Sequence, residues 1–195
     1  MKKIRDPVRI GVFGGTFNPI HYGHLVLAEQ AYEKLNLDKV LFIPSFQPPH
    51  KNSQHIASAS HRFQMVKISI KADRRFQISD IEIKRKGRSY LVDTLKQLTM
   101  LYPGAKLFFI SGSDVSGQMA KWKSIKEVLS LAKFVLAKRP GYHLEKYTRN
   151  ILVISITELD ISSSMIRRKI KLGHSVNYLL PKSIIGYIER NKLYQ

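Results

Sequence analysis

The chain of 195 residues contains no cysteine, and this absence limits its chemistry. Without thiols the protein can form neither a disulfide framework nor a cysteine nucleophile. Long apolar runs are also missing. No segment has the length needed to span a membrane, and the N-terminal residues lack the apolar stretch of a signal peptide. From these absences we expect a soluble cytoplasmic protein.

Acidic residues are scarce: 14 Asp and Glu stand against 33 Lys and Arg, which gives a formal net charge of +19. Such an excess favours polyanionic partners, namely nucleic acid, acidic membrane surfaces or phosphorylated small molecules. The basic residues are dispersed along the chain, so a lysine-rich surface without a dedicated partner stays an equal alternative. The length suffices for one substantial core, and no linker or internal repeat divides the chain. We therefore predict a single domain over residues 1–195.

Apolar periodicity predicts strands and helices that alternate through most of the sequence. The predicted strands cover residues 8–14, 39–43, 76–84, 106–110, 134–137 and 151–154. The predicted helices cover residues 23–35, 59–72, 90–101, 115–119, 125–131, 163–172 and 182–191. Residues 44–60 are rich in proline, histidine and serine and are predicted to form a long loop. This alternation predicts an α/β protein with a parallel sheet, whose ligands bind beyond the carboxyl ends of the strands.

A glycine-rich turn, Gly14-Gly15-Thr16-Phe17, follows the first predicted strand. It is not a Walker loop, because no Gly-Lys-Ser/Thr follows, and it does not match the G-x-G-x-x-G fingerprint. Two glycines after a strand nevertheless allow backbone to approach a phosphate closely. Taken alone, the glycines favour a tight strand-to-helix turn without a ligand.

Two histidines, His21 and His24, lie at the start of the predicted helix 23–35. Residues three apart share one face of a helix, and a helix N-terminus attracts anions. We interpret the imidazoles as N–H donors to phosphate, with one or both of them protonated beside a polyphosphate. A metal site is the alternative, although zinc normally needs a third protein ligand. The residues that would supply a third ligand are His50, His55 and His61.

A second anion-binding element, Ile161-Ser162-Ser163-Ser164-Met165-Ile166-Arg167, comes late in the chain. Serines before a helix supply an N-cap and hydroxyl donors near the positive end of the helix dipole. Arg167 follows Ser164 by three residues, so its guanidinium can reach the same anion. By itself the pattern is typical of an ordinary capped helix, and its specificity comes from the pairing with the histidine motif.

These motifs together resemble the nucleotidyltransferase superfamily marked by an H-x-G-H element and a late serine-rich element that ends in Ile-Arg. Within it, the chain is similar to the bacterial nicotinate-nucleotide adenylyltransferases. The resemblance covers nearly the whole chain and includes segments 14–25, 48–51, 87–95, 112–114 with Trp122, 139–141, 163–167, 178–181 and 187–188. It implies a Rossmann-like nucleotidyltransferase fold, a parallel sheet flanked by helices with a small C-terminal helical extension.

The resemblance implies that the phosphate of nicotinate mononucleotide attacks the α-phosphorus of ATP, giving deamido-NAD and pyrophosphate in NAD biosynthesis. It implies no nucleophilic residue, because positioning and charge neutralisation suffice for such a transfer. Mg²⁺ would be carried by the triphosphate, largely through waters. The implied ATP-binding residues are Gly14, Gly15, Thr16, Phe17, His21, His24, Asp114, Ser163, Ser164 and Arg167. Of these, His24, His21 and Arg167 are implied to be catalytic, and His24 is the first choice for stabilising the transition state.

The implied residues for the second substrate are His50, Lys51, Tyr90, Trp122 and Arg139. His50, Lys51 and Arg139 would contact the phosphate of the mononucleotide, whereas Tyr90 and Trp122 would stack on its pyridine ring. Without the resemblance, His50 and Lys51 fit a solvated loop equally well. A lone tryptophan favours a core position, but the place of Trp122 shortly after Gly112-Ser113-Asp114 favours the ligand.

Four positions depart from the family pattern: Asn18, Ser164, Leu91 and Lys123 stand where aspartate, threonine, threonine and an aromatic residue are frequent. The departures at Leu91 and Lys123 affect the implied pyridine pocket, so they leave the choice between the acid and the amide substrate open.

Two alternatives of different kind remain at this stage. One is another acceptor of the same superfamily, such as nicotinamide mononucleotide, pantetheine phosphate or flavin mononucleotide. The other is a basic nucleic-acid-binding protein, but the sequence has no recognisable nucleic-acid-binding module. The expected partners are therefore ATP and nicotinate mononucleotide, with no membrane, and a homo-oligomer stays open.

Overall fold

Strands and helices alternate along the chain in the structure, a computed structural model that describes residues 6–48, 56–112, 119, 122–138, 151–157 and 159–195. The strands are β1 (Arg9–Gly15), β2 (Lys39–Pro44), β3 (Phe76–Ile78), β4 (Lys106–Gly112), β5 (Lys133–Lys138) and β6 (Ile151–Ser155). The helices are α1 (Tyr22–Lys34), α2 (Ala59–Ile70), α3 (Ile81–Arg85), α4 (Leu91–Leu101), α5 (Ile125–Leu131), α6 (Ser163–Lys171) and α7 (Lys182–Arg190). The predicted α/β class is confirmed.

The six strands form one sheet in the order β3-β2-β1-β4-β5-β6, and every neighbouring pair is parallel. From β1 the chain adds β2 and β3 on one side, and then returns to place β4 on the other side of β1. The order therefore reverses between β1 and β4. In open parallel sheets this reversal leaves a crevice beyond the carboxyl ends of the strands, where ligands bind. The glycine-rich turn follows β1 at this position.

Apolar side chains cover both faces of the sheet, because successive residues of a strand point to opposite faces. In β2, Val40 and Phe42 belong to one buried cluster, whereas Leu41 and Ile43 belong to the other. The first cluster includes residues of α1, α2, α6 and α7, and the second includes residues of α4 and α5. Helices thus cover both sides of the sheet, as the sequence predicts.

One predicted element is wrong. The alternating pattern of residues 76–84 predicts a single strand, but β3 ends at Ile78 and α3 begins at Ile81. Strand β3 lies at the edge of the sheet and pairs with β2 over three residues only. Beyond that pairing the backbone turns helical, and the amide of Lys84 donates to the carbonyl of Asp80. Glu82, one of the polar residues in the alternating pattern, is buried in α3. The alternation therefore does not mark a sheet with one solvent-exposed face.

Helix α7 packs on α2 through the first cluster, and the His61 ring lies 2.9 Å from the Tyr187 hydroxyl. The predicted helix 115–119 lies outside the described residues, apart from Met119. Among the described helices, none combines the length and the apolar character that crossing a membrane requires.

Candidate active site

The segment from Thr16 to His21 connects the carboxyl end of β1 to α1, and it forms the centre of the site. His21 is the N-cap of α1, so the two histidines occupy the cap and the first turn of that helix. The amide of Tyr22 donates to the carbonyl of Leu179 at 3.1 Å, which ties the start of α1 to the C-terminal region. The H-x-G-H motif is thereby placed at a helix N-terminus, as its spacing predicts.

The two imidazoles are stacked, with ring centroids 3.7 Å apart and ring planes inclined by 32°. The backbone amide of His21 donates to Nδ1 of His24 at 3.2 Å. An imidazole nitrogen that accepts a hydrogen bond carries no proton, so neutral His24 has its proton on Nε2. The capping bond thus fixes His24 in the tautomer whose Nε2–H can donate to an anion.

His21 is buried, with only 6% of its surface exposed, and its Nδ1 has no hydrogen-bond partner. Burial lowers the pKa of His21 from 6.5 to about 4, because the cation would lose its hydration. His21 is therefore neutral at pH 7. The prediction that one or both rings are protonated beside a polyphosphate concerns the protein with its ligand bound, and it stays a prediction.

Glycine is required at two positions by the rings around this turn. A Cβ atom on Gly23 would lie 3.0 Å from Nδ1 of His21, and one on Gly15 would lie 2.9 Å from the ring of Phe17. The Phe17 backbone is left-handed (φ 48°), and its ring lies 5.1 Å from that of His24 between centroids. Besides the access to phosphate suggested by the sequence, these glycines leave room for the ring cluster that holds His24.

The N-terminus of α6 is attached to the same segment. Ser163 Oγ donates to the Pro19 carbonyl at 2.9 Å, and Arg167 Nη1 donates to the Asn18 carbonyl at 2.8 Å. Arg167 Nη2 donates to Ser164 Oγ at 3.3 Å, so the Ser164 hydroxyl proton is left for another acceptor. The structure thus brings the two predicted anion-binding elements together, although they are more than 140 residues apart in sequence.

Arg62 of α2 supports this segment and was missed by the sequence analysis. It is 1% exposed, and its guanidinium donates to the carbonyls of Ala57 (2.9 Å), Thr16 (2.9 Å) and Phe46 (3.0 Å). Burial lowers its pKa to about 10, so Arg62 stays charged at pH 7. No local signal could have found it, because its acceptors are backbone carbonyls, which carry no residue-specific signal, and those of Thr16 and Phe46 are distant in sequence.

Tyr194, next to the last residue of the chain, was also missed. Its hydroxyl donates to Asn18 Oδ1 at 2.8 Å, and the same oxygen accepts from the amide of Ala57 at 3.0 Å. Burial raises the pKa of Tyr194, so the hydroxyl keeps its proton as a donor. The C-terminal residues thus contribute to the site from the far end of the chain.

A pocket of about 170 Å³ opens on the other side of the Gly14–Gly15 backbone. Two of the predicted ring-binding residues, Tyr90 and Trp122, line it. Trp122 also packs on Phe109 and Phe134, with ring centroids 6.0 and 5.7 Å away. The lining residues are Gly14, Gly15, Ser45, Glu82, Ser89, Tyr90, Leu91, Phe109, Trp122 and Lys123. The lining is mostly apolar and includes the rings of Tyr90, Phe109 and Trp122, which suits an aromatic ligand.

Two polar groups of this pocket were not anticipated. Glu82 accepts a hydrogen bond from Thr94 Oγ1 at 2.6 Å, and burial raises the pKa of Glu82. Ser45 donates its backbone amide to the Gly15 carbonyl at 2.9 Å, whereas its buried hydroxyl has no hydrogen-bond partner. The signal for Glu82 was hidden by the strand prediction, and a single serine after a strand carries no signal.

Four predicted site residues, His50, Lys51, Asp114 and Arg139, lie outside the described residues. Of the histidines considered as a third metal ligand, His50 and His55 also lie outside them, and His61 is engaged with Tyr187 on α7. Within the described ranges, no cluster of three or more His, Asp or Glu side chains is arranged to hold a metal ion.

Comparison with known proteins agrees with this geometry. Residues 12–169 match the family model described as cytidylyltransferase-like. A protein of Desulfitobacterium hafniense (strain Y51), named "Probable nicotinate-nucleotide adenylyltransferase", is 44% identical over 200 residues, with 97% of each chain covered. A protein of Bacillus anthracis with the same name is 43% identical over 187 residues, covering 96% of this chain and 98% of its own.

Solved structures share the fold. The structure of Plasmodium falciparum nicotinic acid mononucleotide adenylyltransferase complexed with APC has a TM-score of 0.80 at 21% identity, covering 96% of this chain and 97% of its own. The same enzyme complexed with NaAD has a TM-score of 0.78 at 22% identity, with the same coverage. The Rossmann-like nucleotidyltransferase fold expected from the sequence is confirmed.

Proposed function

The chain belongs to the cytidylyltransferase-like family and, within it, to the nicotinate-nucleotide adenylyltransferases, and from this membership we propose that it transfers AMP from ATP to nicotinate mononucleotide. An oxygen of the mononucleotide phosphate forms a bond to the α-phosphorus of ATP. The bond from that phosphorus to the oxygen bridging to the β-phosphorus breaks, and pyrophosphate leaves. The products are deamido-NAD and pyrophosphate. ATP as a substrate accords with the cytoplasmic location expected from the sequence.

The observation that carries this proposal is the convergence of two helix N-termini on one loop. The first turn of α1 brings His21 and His24, and the first turn of α6 brings Ser164 and Arg167. Imidazole, hydroxyl and guanidinium groups at two helix N-termini around one loop form a donor-rich site suited to a triphosphate. A parallel sheet presents such a site at its topological switch point.

His24 is the residue that we assign to the transition state. Negative charge increases on the leaving phosphate oxygens as the α–β bond breaks, and the Nε2–H of His24 is the donor that its tautomer provides. His21 stacks on this ring as a neutral partner, and Arg167 and Ser164 hold the β- and γ-phosphates from the side of α6. Ser163, whose proton is used by the Pro19 carbonyl, acts by anchoring the loop. Gly14, Gly15, Thr16 and Phe17 supply the backbone at the junction of the two substrates.

The pocket beside Gly14 and Gly15 receives the pyridine ring, which stacks between the aromatic side chains of Tyr90 and Trp122. His50, Lys51 and Arg139 remain our candidates for the mononucleotide phosphate, and Asp114 remains one for the ATP ribose or the metal.

Magnesium is assigned to the triphosphate. Mg²⁺ prefers oxygen ligands and keeps several waters, whereas the described loop offers mainly nitrogen donors and hydroxyl groups. We therefore name no described side chain as a magnesium ligand, and the roles above do not depend on one. Bound with ATP, the ion would neutralise charge on the phosphates.

The test is pyrophosphate release from Mg-ATP with nicotinate mononucleotide or nicotinamide mononucleotide, with the products separated by chromatography. We expect release with the acid and formation of deamido-NAD. Activity with the amide alone would keep the nucleotidyl transfer and contradict the acceptor. No release with either nucleotide would contradict the proposal and return the other acceptors of the superfamily to consideration.

A further inference from the structure

Two charged residues, Glu82 and Lys123, are among the ten described residues that line the pyridine pocket. The acid is already compensated within the protein. Thr94 donates to it at 2.6 Å, and the Ser89 hydroxyl and the cations of Arg85 and Arg62 favour its charged form. Glu82 is therefore engaged by internal partners, and burial, which raises its pKa, disfavours its charged form.

Lys123 is held far less firmly. Its Nζ lies 3.8 Å from Asp93 Oδ2, at the outer limit of an ion pair, and its side chain is 52% exposed. By contrast, Lys96 on α4 lies 2.8 Å from Glu127. A long, half-exposed lysine with such a weak partner can turn to a better one at little cost.

The Lys123 ammonium lies near the place where the proposed pyridine ring would stack. It lies 4.5 Å from the centroid of the Tyr90 ring, which lines the same pocket. Because the ammonium lies over the face of this ring, a pyridine ring that stacks there would displace it toward the ring edge, where the flexible lysine stem keeps it within reach of a ring substituent.

The charge of that substituent is what separates the two candidate nucleotides. Nicotinate mononucleotide carries a carboxylate on its ring where nicotinamide mononucleotide carries a neutral carboxamide, and the rest of the two molecules is the same. A cation beside the ring therefore favours the acid, and its effect appears in the ratio of the two activities and not in the shared phosphate contacts.

We propose that Lys123 pairs its ammonium with the ring carboxylate of nicotinate mononucleotide and so selects the acid over the amide. This inference rests on the proposed function. It assigns a specific role to the position after Trp122, where the resemblance led us to expect an aromatic residue. Asp93 competes with the substrate for the same ammonium.

The experiment compares kcat/KM for the two nucleotides in the unaltered protein, Lys123→Met, Lys123→Arg and Lys126→Met. Methionine keeps the length of the side chain without its charge. We expect Lys123→Met to lower the acid-to-amide ratio roughly fivefold, mainly by raising KM for the acid, as a half-exposed ion pair allows. Lys123→Arg restores most of the ratio. Lys126→Met removes one charge from an exposed position outside the pocket lining, and it leaves the ratio unchanged.

Asp93→Asn gives a test of opposite sign. Without the competing carboxylate the ammonium is freed for the substrate, so the acid-to-amide ratio rises. If the amide is converted too slowly to measure, its inhibition constant KI in competition with the acid replaces its kcat/KM in the comparison.

The two proposals fail in different ways. If the unaltered protein converts the acid and Lys123→Met keeps the ratio, the role of Lys123 is wrong and the proposed function stands. If the unaltered protein does not convert the acid, both are overturned.

Discussion

At the scale of single residues, the two histidines of the H-x-G-H motif perform different tasks although their side chains are chemically identical. The backbone amide of His21 fixes the tautomer of His24, and burial keeps the His21 ring neutral. The short stack between the rings disfavours two adjacent cations. This difference is the reason for the proposal that His24 donates to phosphate and that His21 orients it.

Replacing His24 by alanine removes the assigned donor. We expect His24→Ala to lower kcat roughly a hundredfold or more, as for the loss of one donor to transition-state charge. The free energy of unfolding should fall by only about 1–2 kcal/mol, because one cap bond is lost. Steady-state kinetics and urea unfolding measure the two effects. His174→Ala, at an exposed position after α6, is the control, and equal kinetics of both variants would refute the role.

The buried His21 predicts how stability depends on pH. Its pKa is 6.5 in the unfolded chain and about 4 in the folded protein, so below pH 6.5 the unfolded state binds the proton preferentially. The free energy of unfolding should therefore fall as the pH decreases from 6.5 to 4, with a contribution from His21 of up to about 1.4 kcal/mol per pH unit. His21→Gln should show a shallower decline in urea unfolding across this range. Parallel slopes for the two proteins would contradict the burial argument.

At the scale of elements, the loop between β1 and α1 depends on side chains from helices α2 and α6 and on the C-terminus. Arg62→Met removes a guanidinium that donates to three carbonyls. We expect a loss of at least about 3 kcal/mol in unfolding free energy, because those carbonyls lose a buried charged donor. Lys67→Met, at an exposed position of the same helix, is the control. A loss no larger than that of the control would show that Arg62 is dispensable.

The C-terminal residues make a smaller contribution to the same loop. Tyr194→Phe deletes the hydrogen bond to Asn18 Oδ1, which keeps its bond from Ala57. We expect a loss of about 1 kcal/mol in unfolding free energy and a moderate decrease in kcat. Tyr178→Phe changes a side chain that is 90% exposed and serves as the control in thermal unfolding and in the activity assay. If the two variants behave alike, the C-terminus does not support the site.

At the scale of the whole molecule, the net charge of +19 acts on substrates that are polyanions. A positive field raises their local concentration and is screened by salt, with a Debye length of about 10 Å at 0.1 M. We therefore expect kcat/KM for ATP and for the mononucleotide to fall as sodium chloride is raised from about 0.05 to 0.5 M, with a much smaller change in kcat. A nonionic osmolyte at equal osmolarity is the control. A kcat/KM that does not change with salt would contradict the expectation that the positive net charge concentrates the substrates.

The fold was predictable because its signals are local or regular. Buried parallel strands appear as apolar runs, and their alternation with helices leaves few arrangements. The H-x-G-H motif was predictable for the same reason, since His21 and His24 lie within one helical turn. The strand prediction for residues 76–84 failed because tertiary contacts ended the strand early. Strand β3 pairs with β2 only as far as Ile78, and Glu82 accepts a hydrogen bond from Thr94 of α4.

By itself the sequence determined the α/β class, the two anion-binding motifs and the family resemblance, because strand and helix periodicity, caps and glycine turns are properties of neighbouring residues. Only the tertiary structure decided that Arg167 of α6 and Tyr194 near the C-terminus both bind Asn18. It also decided that the buried Arg62 donates to the carbonyl of Thr16. The position of Lys123 in the lining of the pocket beside Gly14 and Gly15 is also decided by the tertiary structure. Such contacts join residues far apart in sequence, often through a single backbone carbonyl or side-chain oxygen, and they leave no periodic pattern in the sequence.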